Sequence, residues 1–343
     1  MRKNITKIQD VARMAGVSTA TVSRTLSMPE KVSKATRKAV LDAVEKTGYR
    51  LNSTARNLRQ QRSGALVALV PNLGNPFFSQ LLAGIELEAS KAGLNLLIVD
   101  SMQPGASEDR VFQYLLMNRC DGIIIMDGSL PLDKVKNISV GSAPPKIVCA
   151  CEWLENDPFP CVRVDNMHAS KLAISHLHEL GHWRIGVVSG PKYNRISQAR
   201  LEGAYKTIEA LGLPVVEEWS FEGDYSISSG ARAAASWANL SRRPTSVFCL
   251  SDEMALGFIS ELNHMGFKVP LDVSVVGFDD IEIARHYIPP LTTIHQPRTE
   301  IGTQAAKLLI DLIAGDKKEE DEKIKFMPVN LVVRSSTAPP RNN

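Results

Sequence analysis

The chain has 343 residues, of which 44% are hydrophobic and 22% are charged. This composition is typical of a globular protein, and the length predicts two or three domains. No apolar run is long enough to span a bilayer, and no apolar segment follows the N-terminal MRKNITKIQD. Because membrane spans and secretory signals both need such runs, we expect a cytoplasmic protein that has no membrane partner.

The formal net charge of +3 is divided unevenly along the chain. Residues 1–62 contain 14 basic and 4 acidic side chains, a net charge of +10, whereas residues 63–343 contain 26 and 33, a net charge of −7. A basic segment attached to an acidic body is typical of a module that binds a polyanion and is joined to a second functional unit.

Cysteine spacing and catalytic motifs exclude several classes of site. The five cysteines stand at positions 120, 149, 151, 161 and 249. None forms a C-x-x-C motif and no histidine has metal-ligand spacing from them, so we expect small buried thiols and no metal site. The chain also lacks G-x-S-x-G, a P-loop, H-E-x-x-H and a G-x-G-x-x-G that follows a strand. We therefore predict neither an enzyme nor a bound cofactor.

The basic segment contains the pattern of two short helices around a tight turn. The residues from Thr6 to Gln9 have the spacing of a capping box, and Gly16 is suited to end the helix that follows. Ser18 is then suited to cap a second helix, on which Val22 and Leu26 face inward.

A third helix is predicted to begin at Ser33 and to end at Gly48. Its apolar side consists of Val40, Leu41 and Val44. Two helices joined by a glycine-containing turn, with a third helix that closes a small core, form a helix-turn-helix unit.

The second of these helices starts with small polar residues, in the stretch VSTATVSRTL. In a helix-turn-helix unit this turn contacts base edges in the major groove of DNA, and small side chains permit close approach. Threonine can hydrogen-bond to bases or phosphates, alanine can contact a thymine methyl group, and arginine can bind guanine O6 and N7. A three-helix bundle with a solvated polar face is the alternative. The candidate DNA-contacting residues of this segment are Thr6, Ser18, Thr19, Ala20, Thr21, Ser23, Arg24 and Ser33.

The stretch IQDVARMAGVSTATVSRTL, followed by VSKATRKAVLDAVEKTGYRLNSTARNLR, resembles the head of the LacI/GalR family of bacterial repressors. The resemblance is long and nearly continuous. It implies that the side chains of Thr19, Ala20 and Arg24 read an operator. It also implies a homodimer on a palindromic operator in double-stranded DNA, because two copies related by a two-fold axis each read one half-site.

A short helix is predicted to start at Asn52, and at barely two turns it is marginal alone in water. In the family that the chain resembles, this hinge helix orders only on DNA, where a leucine, here Leu58, wedges into the minor groove. Ala55 would let two such helices approach closely, while Arg56 and Arg59 would meet phosphate or the groove. A polar linker is the alternative, but the segment is rich in helix formers and poor in glycine.

From residue 63 onward, short β-branched runs alternate with amphipathic helical stretches. The runs that indicate strands are ALVALVP, LNLLIVDS, DGIIIMD, KIVCACEW, CVRVDN, RIGVVSG, TSVFCLSD and DVSVVGFDD. This alternation predicts doubly wound parallel sheets with helices on both faces. Eight strands over about 270 residues exceed what one such sheet usually holds, so we expect a two-lobed α/β core behind an all-α head.

The predicted division follows these patterns. The helix-turn-helix domain takes residues 1–51, the hinge helix takes 52–62, and the effector-binding and dimerisation domain takes 63–340. Within the core, the predicted first lobe comprises 63–163 and 293–323, and the predicted second lobe comprises 164–292 and 324–340.

Polar or aromatic residues follow several of the predicted strands, where ligands bind in open α/β sheets. Aromatic rings beside carboxylates and a guanidinium suit a polyhydroxylated or heterocyclic ligand, because rings stack and charged groups bind hydroxyls. Each residue also has a structural alternative, such as the core for Phe77 and Phe78 or a surface ion pair for Arg200. The candidate ligand-binding residues are Asn75, Phe77, Phe78, Glu152, Trp153, Asn194, Arg200, Tyr225, Ser251 and Asp279.

The body resembles the effector-binding core of the same family, which is itself similar to periplasmic sugar-binding proteins. The stretches that carry this resemblance include PNLGNPFFSQLLAGIE, ELGHWRIGVVSGP, SDEMALGF and KVPLDVSVVGFDD. The resemblance implies effector contacts for Phe78, Glu152, Trp153, Arg200, Ser251 and Asp279. Asn194 stands where one relative has an effector-contacting arginine, and Ser251 where another has asparagine, which argues against guanine or a lactose-like ligand.

We therefore predict a homodimeric transcriptional regulator, and specifically a repressor, whose affinity for its operator is controlled by a small-molecule effector. The expected effector is a sugar or a nucleoside bound between the two lobes. The alternative is a solute-binding protein of a transport system, which the basic head and the missing signal peptide disfavour.

Overall fold

The computed structural model describes residues 6–49, 63–101, 120–128, 146–153, 156, 159–316 and 323–341. The chain separates into two compact units, Met1–Arg62 and Ser63–Asn343. The predicted hinge lies outside the described residues and stays a prediction. Its candidate contacts are Asn52, Ala55, Arg56, Leu58 and Arg59.

The described part of the first unit is a bundle of three helices, α1 (Ile8–Ala15), α2 (Thr19–Ser27) and α3 (Lys34–Thr47). Their shared core consists of Val11, Ala12, Val22, Val40 and Ala43, with Leu26 and Val44 packed against it. The inward position predicted for Leu41 is wrong, since this side chain is 48% exposed. Positions 40, 43 and 44 share one face of a helix with 3.6 residues per turn, whereas position 41 lies beside that face.

Serine hydroxyls and glycines hold the helix ends of this unit. Ser18 and Ser33 each accept a hydrogen bond from the backbone N–H three residues on, at 3.1 and 3.2 Å, which confirms both predicted N-caps. Gly16 and Gly48 end α1 and α3 with φ of 65° and 62°, a left-handed conformation that glycine adopts without strain. These local signals therefore set the helix bounds.

The capping box predicted at Thr6 is wrong by one residue. The N-cap of α1 is Lys7, whose backbone N–H donates to Asp10 Oδ2 at 2.9 Å. The Thr6 hydroxyl instead donates to the Thr47 carbonyl at 3.0 Å. This bond satisfies one of the free carbonyls at the end of α3 and ties it to the start of α1.

The second unit contains two six-stranded sheets. The strands of the first sheet, in spatial order, are β11 (Ile324–Met327), β5 (Cys161–Val164), β4 (Ile147–Ala150), β3 (Gly122–Ile125), β1 (Ala65–Val70) and β2 (Asn95–Asp100). Those of the second sheet are β12 (Asn330–Val332), β10 (Thr292–His295), β9 (Ser274–Asp279), β8 (Ser246–Cys249), β6 (Ile185–Val188) and β7 (Ser220–Phe221). Every pair is parallel except β10 with β12, which confirms the doubly wound α/β architecture.

Helices cover both sheets. Those of the second unit are α4 (Phe77–Lys91), α5 (Asn166–Glu179), α6 (Arg195–Ala210), α7 (Ile227–Ala238), α8 (Asp252–His264) and α9 (Arg298–Ala314). Helix α4 packs against α9, α5 against α6, and α7 against α8. The central strands β1, β3, β4, β8 and β9 are buried along their whole length, as is usual in parallel sheets, and most of their residues are apolar.

The predicted lobe bounds need correction at two strands. The prediction placed residues 293–323 in the first lobe and 324–340 in the second. However, β10 belongs to the second sheet, and β11 pairs with β5 in the first. The chain thus crosses between the sheets after β5, after β10 and after β11. Strand β11 lies at the edge of its sheet and β10 is next to the edge strand β12, and both have only four residues. Such short segments have little apolar pattern of their own, so the sequence does not indicate which sheet they join.

Two glycines allow α4 and α9 to approach closely. A Cβ atom added to Gly84 would overlap the carbonyl oxygen of Thr299, and one added to Gly302 would overlap the carbonyl oxygen of Leu81. The contact is reciprocal, since each glycine faces the backbone of the other helix. Larger residues at either position would therefore force the two helices apart.

We expect Gly302→Ala to lower the free energy of unfolding by about 1–3 kcal/mol, the usual effect of overpacking. The methyl group would meet backbone, which moves less readily than a side-chain end. Urea unfolding followed by circular dichroism measures the effect. Ser90→Thr, which adds one methyl on the exposed side of α4, is the control. Equal stability of Gly302→Ala and the parent chain would contradict the close approach.

All five cysteines are free and buried. Cys149 and Cys151 do not share a face, although strand alternation predicts that they do. Cys151 has a φ of 58°, which ends β4, and it packs in a different apolar cluster from Cys149. The same turn leads the chain out of the sheet at Glu152.

Candidate functional site

The exposed face of α2 is the first candidate site. Thr19, Ala20, Ser23 and Arg24 are all exposed, while Val22 on the opposite face is buried in the core. Positions i, i+1, i+4 and i+5 lie on one side of a helix. The first two turns of α2 therefore present a hydroxyl, a methyl group and a guanidinium to one side of the head.

The other candidate hydroxyls of the head take part in local bonds. The hydroxyls of Ser18 and Thr21 lie 2.9 Å apart, and Thr21 is half-buried. Ser33 caps α3, and the Thr6 hydroxyl donates within the bundle. These four residues fix the helix ends that carry the exposed face.

A chain of polar groups links the two sheets of the second unit. Glu152, which follows β4 of the first sheet, accepts a hydrogen bond from Asn194 Nδ2 at 2.7 Å through Oε1. Asn194 caps α6 beside the second sheet, where its Oδ1 accepts from the Ser197 N–H at 2.8 Å. The Ser197 hydroxyl lies 2.6 Å from Tyr225 Oη. Three candidates from separate parts of the sequence therefore meet in one cleft.

Within this series of hydrogen-bonded groups, Glu152 has a polar atom that lacks a partner. Its side chain is buried, and Oε2 has no hydrogen-bond partner. Burial, together with the charge of Asp127, raises the pKa of Glu152 to about 7, although the hydrogen bond from Asn194 acts in the opposite direction. A buried oxygen without a partner is energetically unfavourable, so a ligand that donates a hydrogen bond there would be stabilised.

Tyr225 shares the same environment. Its φ is 67°, which places the ring in a left-handed backbone turn just before α7. Burial raises the pKa of Tyr225 to about 12, so the phenol stays neutral and can donate or accept a hydrogen bond.

Arg200 is buried on α6, and its guanidinium contacts four other residues. Its Nε donates to Asn166 Oδ1 at 2.9 Å, and its Nη1 donates to the Leu250 carbonyl at 2.6 Å. Nη1 also lies 3.5 Å from Asp279 Oδ1, and the guanidinium carbon lies 3.5 Å from the centre of the Phe278 ring. Arg200 therefore holds the carboxyl ends of β5, β8 and β9 together.

Asp279 ends β9 with a φ of 116°, a conformation that is strained for a residue with a side chain. Its Oδ1 accepts from Gln296 Nε2 at 2.8 Å. Burial raises the pKa of Asp279 to about 6, although the charges of Arg200 and Arg298 act in the opposite direction. Strained backbone and a perturbed carboxyl at a strand end are frequent at binding sites.

The aromatic candidates and Ser251 have more structural roles. Phe77 and Phe78 are buried and meet edge to face, with ring centres 5.1 Å apart. Asn75 Oδ1 accepts from the Phe77 N–H at 2.8 Å at the start of α4. Trp153 lies under the guanidinium of Arg163, 4.3 Å from its carbon, and packs with the cluster that contains Cys149. Ser251 is buried and caps α8.

Four residues of the cleft were not among the candidates. Asn166 and Gln296 position Arg200 and Asp279, Ser197 connects Asn194 with Tyr225, and the charge of Asp127 acts on Glu152. Asp127 and Asn166 stand just after predicted strands, so their position could have indicated them. Gln296 follows β10, which was not predicted, and Ser197 lies within a helix.

We expect Glu152→Gln to stabilise the chain at pH 8 and to have little effect at pH 5. The pKa of this carboxyl is about 7 in the folded chain against an ordinary 4.5, so the folded chain keeps a proton that the unfolded chain releases in this window. The free energy of unfolding therefore falls as the pH rises from 4.5 to 7. Each pH unit corresponds to about 1.4 kcal/mol, so the gain at pH 8 should be about 2–3 kcal/mol.

Thermal unfolding of ligand-free protein at both pH values tests this expectation. Glu202→Gln, on the exposed side of α6, is the control and should change little at either pH. A Glu152→Gln chain that follows the parent chain at both pH values would show that this carboxyl is ionised when folded.

Two absences apply to the described residues. No cluster of three or more His, Cys, Asp or Glu side chains among them could hold a metal ion. None of the helices in the same part of the chain is long and apolar enough to cross a membrane.

Each of the two units matches a known protein family. Residues 7–52 match the model of bacterial regulatory proteins of the lacI family, and residues 174–337 match that of a periplasmic binding protein-like domain. The transcriptional repressor CytR of Escherichia coli K12 is 37% identical over 330 residues, which are 96% of both chains. The repressor PurR of Actinobacillus pleuropneumoniae serotype 3 is 34% identical over 331 residues, 96% of this chain and 97% of its own.

Solved structures have the same fold along the whole chain. A Lac repressor dimer bound to operator and the anti-inducer ONPF matches with a TM-score of 0.84 at 28% identity, over 98% of this chain and all of the other. A complex of the transcriptional regulator CelR with cellobiose matches with a TM-score of 0.73 at 28% identity, over 96% and 99%. The chain belongs to the lacI family of bacterial regulatory proteins and is a transcriptional repressor with an effector-binding core.

Proposed function

We propose that the exposed face of α2, formed by Thr19, Ala20, Ser23 and Arg24, reads the base edges of an operator. The observation that carries this proposal is the position of these side chains on one face at the start of the second helix of a helix-turn-helix unit. Ser18, Thr21, Ser33 and Thr6 support the face by holding helix ends, and hydroxyl side chains of this kind are frequent donors to phosphate oxygens.

The operator is double-stranded DNA with two-fold symmetry, and a homodimer binds it. The solved structure of the Lac repressor is a dimer bound to operator, and this chain matches 98% of its own length to that protein. Each subunit would place one α2 in one half-site, because the symmetry of a dimer matches that of a palindrome.

Phosphate contacts should supply much of the affinity, since residues 1–62 have a net charge of +10. We expect doubling the salt concentration to weaken operator binding roughly 10-fold to 100-fold, because each neutralised phosphate releases counterions. Fluorescence anisotropy with selected DNA measures this slope. A flat salt dependence would contradict binding through phosphates.

The cleft that contains Glu152, Asn194, Tyr225, Arg200 and Asp279 binds the effector, a neutral sugar or nucleoside. The guanidinium of Arg200 already binds Asn166, the Leu250 carbonyl and Asp279, which leaves less of its charge for an anionic ligand. The free Oε2 of Glu152 and the neutral phenol of Tyr225 suit the hydroxyl and amino donors of such a ligand. Relatives bind such molecules too, namely cellobiose in CelR and ribose in a regulator of Enterococcus faecium.

Binding in this cleft changes the affinity for DNA through the relative position of the two sheets. Glu152 follows a strand of the first sheet, and Asn194 and Tyr225 lie beside the second, so a ligand between them joins both. The predicted hinge at residues 52–62, with Leu58 as its wedge, would convert this change into DNA affinity. Such coupling typically amounts to about 1–3 kcal/mol and acts equally on effector binding.

Selection of bound fragments from the genome of the source organism tests the proposal. The recovered fragments should share a palindromic sequence, and a panel of sugars and nucleosides should contain a molecule that alters their binding. A chain that binds such a molecule but recovers no common DNA sequence would be a solute-binding protein instead.

A further inference from the structure

A second cavity lies at the opposite end of the second sheet from the effector cleft. The cleft is formed at the carboxyl ends of its strands, where Asp279 ends β9. The second cavity, of about 480 Å³, is lined by residues at the amino ends, among them Arg184 before β6, Thr245 before β8 and Asp272 before β9. The strands concerned are parallel, so these two ends are separated by the length of the sheet.

Four arginines line this cavity, which we call the arginine cavity: Arg184, Arg242, Arg243 and Arg341. Its only acidic lining residue is Asp272, which lies 3.6 Å from Arg341. Among the described ion pairs, none involves the other three arginines. Four guanidinium groups against one carboxylate give the cavity a net positive charge, which attracts an anion and favours forked hydrogen bonds to its oxygens.

Part of the remaining wall of the arginine cavity is formed by aromatic and proline side chains. Trp237 is buried, and its indole N–H donates to the Pro244 carbonyl at 3.0 Å. The Arg243 guanidinium carbon lies 5.3 Å from the Trp237 ring centre and 5.0 Å from that of Phe267, while its Nε donates to the Ala238 carbonyl at 3.2 Å. Arg243 is therefore oriented before any ligand binds, and orientation reduces the entropy lost on binding.

We propose that the arginine cavity is a second ligand site, which binds a small phosphate monoester. The guanidinium groups would hold the phosphate, and the aromatic and proline wall would contact the organic part. The volume falls within the range of sites for small organic ligands and exceeds what inorganic phosphate alone would fill. His182, at the edge of the cavity, adds no charge, because burial lowers its pKa.

Fluorine NMR of the full-length chain labelled with 5-fluorotryptophan tests this proposal. The four tryptophans are Trp153, Trp183, Trp219 and Trp237, and single Trp→Phe variants assign their signals. Trp237 reports on the arginine cavity and Trp153 on the region beside the effector cleft. Residues 1–62 contain no tryptophan, so anions bound to the basic head have no reporter there.

The probes are a hexose phosphate and glycerol phosphate, with glucose and glycerol as uncharged counterparts and inorganic phosphate alone. We expect a phosphate ester to shift the Trp237 signal with a Kd of about 1 mM or tighter, while the alcohols leave it unchanged. Arg242→Gln should weaken this binding about tenfold or more, since a forked charge-assisted contact is lost. Its side chain is exposed, so the variant should fold normally.

Arg285→Gln is the matched control, because Arg285 is exposed and follows β9 at the other end of the sheet. It should bind the esters as the parent chain does. Three outcomes would overturn the proposal: a Trp237 signal that no phosphate ester moves, equal affinity of Arg242→Gln and the parent chain, or equal responses to esters and inorganic phosphate. The last outcome would show a site for the free ion only.

Discussion

Arg24→Ala should weaken operator binding by between about 30-fold and 25,000-fold without altering the fold. A bidentate arginine–guanine contact contributes about 1–3 kcal/mol of discrimination, and a dimer loses it twice. Arg24 is exposed on α2 and has no place in the core of the head, so its removal leaves the apolar cluster intact. Electrophoretic mobility shifts with the selected operator measure the loss.

Arg13→Ala is the control for charge alone. Arg13 is 81% exposed at its side chain, near Asp10, and lies on α1 rather than on the exposed face of α2. Arg13→Ala should reduce the affinities for operator and for unrelated DNA by similar factors, both smaller than the loss in Arg24→Ala. By contrast, Arg24→Ala should reduce the preference for operator over unrelated DNA. If both variants lose the same affinity on both DNAs, then α2 supplies charge but no base recognition.

Asp279→Ala should remove the response to effector while sparing operator binding. Truncating one partner of a buried, hydrogen-bonded charge pair costs about 2–5 kcal/mol. This loss corresponds to a roughly 30-fold to 4,000-fold lower affinity for the effector. Asp279 Oδ1 accepts from Gln296 and faces Arg200 at 3.5 Å, so both neighbours would also be left without their acceptor. Calorimetric titration with the effector found among sugars and nucleosides measures the loss.

Asp279→Asn separates charge from shape in the same experiment. Asparagine tolerates a positive φ better than alanine, so this variant keeps the strained strand end. Asp224→Asn, an exposed ion-pair residue beside α7, controls for a loss of charge in the same unit. An effector response of normal strength in both Asp279 variants would remove this residue from the binding site.

Local signals in the sequence were sufficient for most of the head and for the order of the elements. Ser18, Ser33, Gly16 and Gly48 act within four residues of themselves, and the structure confirms each at the predicted helix end. The eight predicted strands are all present as well, and seven of them are buried along their whole length, which favours runs of apolar and β-branched residues. The cap at Thr6 failed since a contact with Thr47, 41 residues away, decides what its hydroxyl does.

The ligand-binding candidates also show what position along the sequence does not decide. Position at a strand end indicated Glu152 and Asp279, and the structure places both close enough to Arg200 for its charge to lower their pKa values. Position along the sequence does not indicate whether a group is free or already paired. Only the structure shows that Arg200 is already paired with Asn166 and the Leu250 carbonyl, that one oxygen of Glu152 has no partner, and that Phe77 and Phe78 pack on one another.

The sequence alone thus determined the basic three-helix head, the alternation of strands and helices, and the family to which the chain belongs. The tertiary structure decided which sheet β10 and β11 join, which groups meet across the cleft, and that the arginine cavity forms at the amino ends of the second sheet. The physical reason is the distance along the sequence over which each interaction acts. Capping and periodicity act over a few residues. Glu152 binds Asn194, and Arg184 and Arg341 line one cavity, only after strand register and helix packing bring distant segments together.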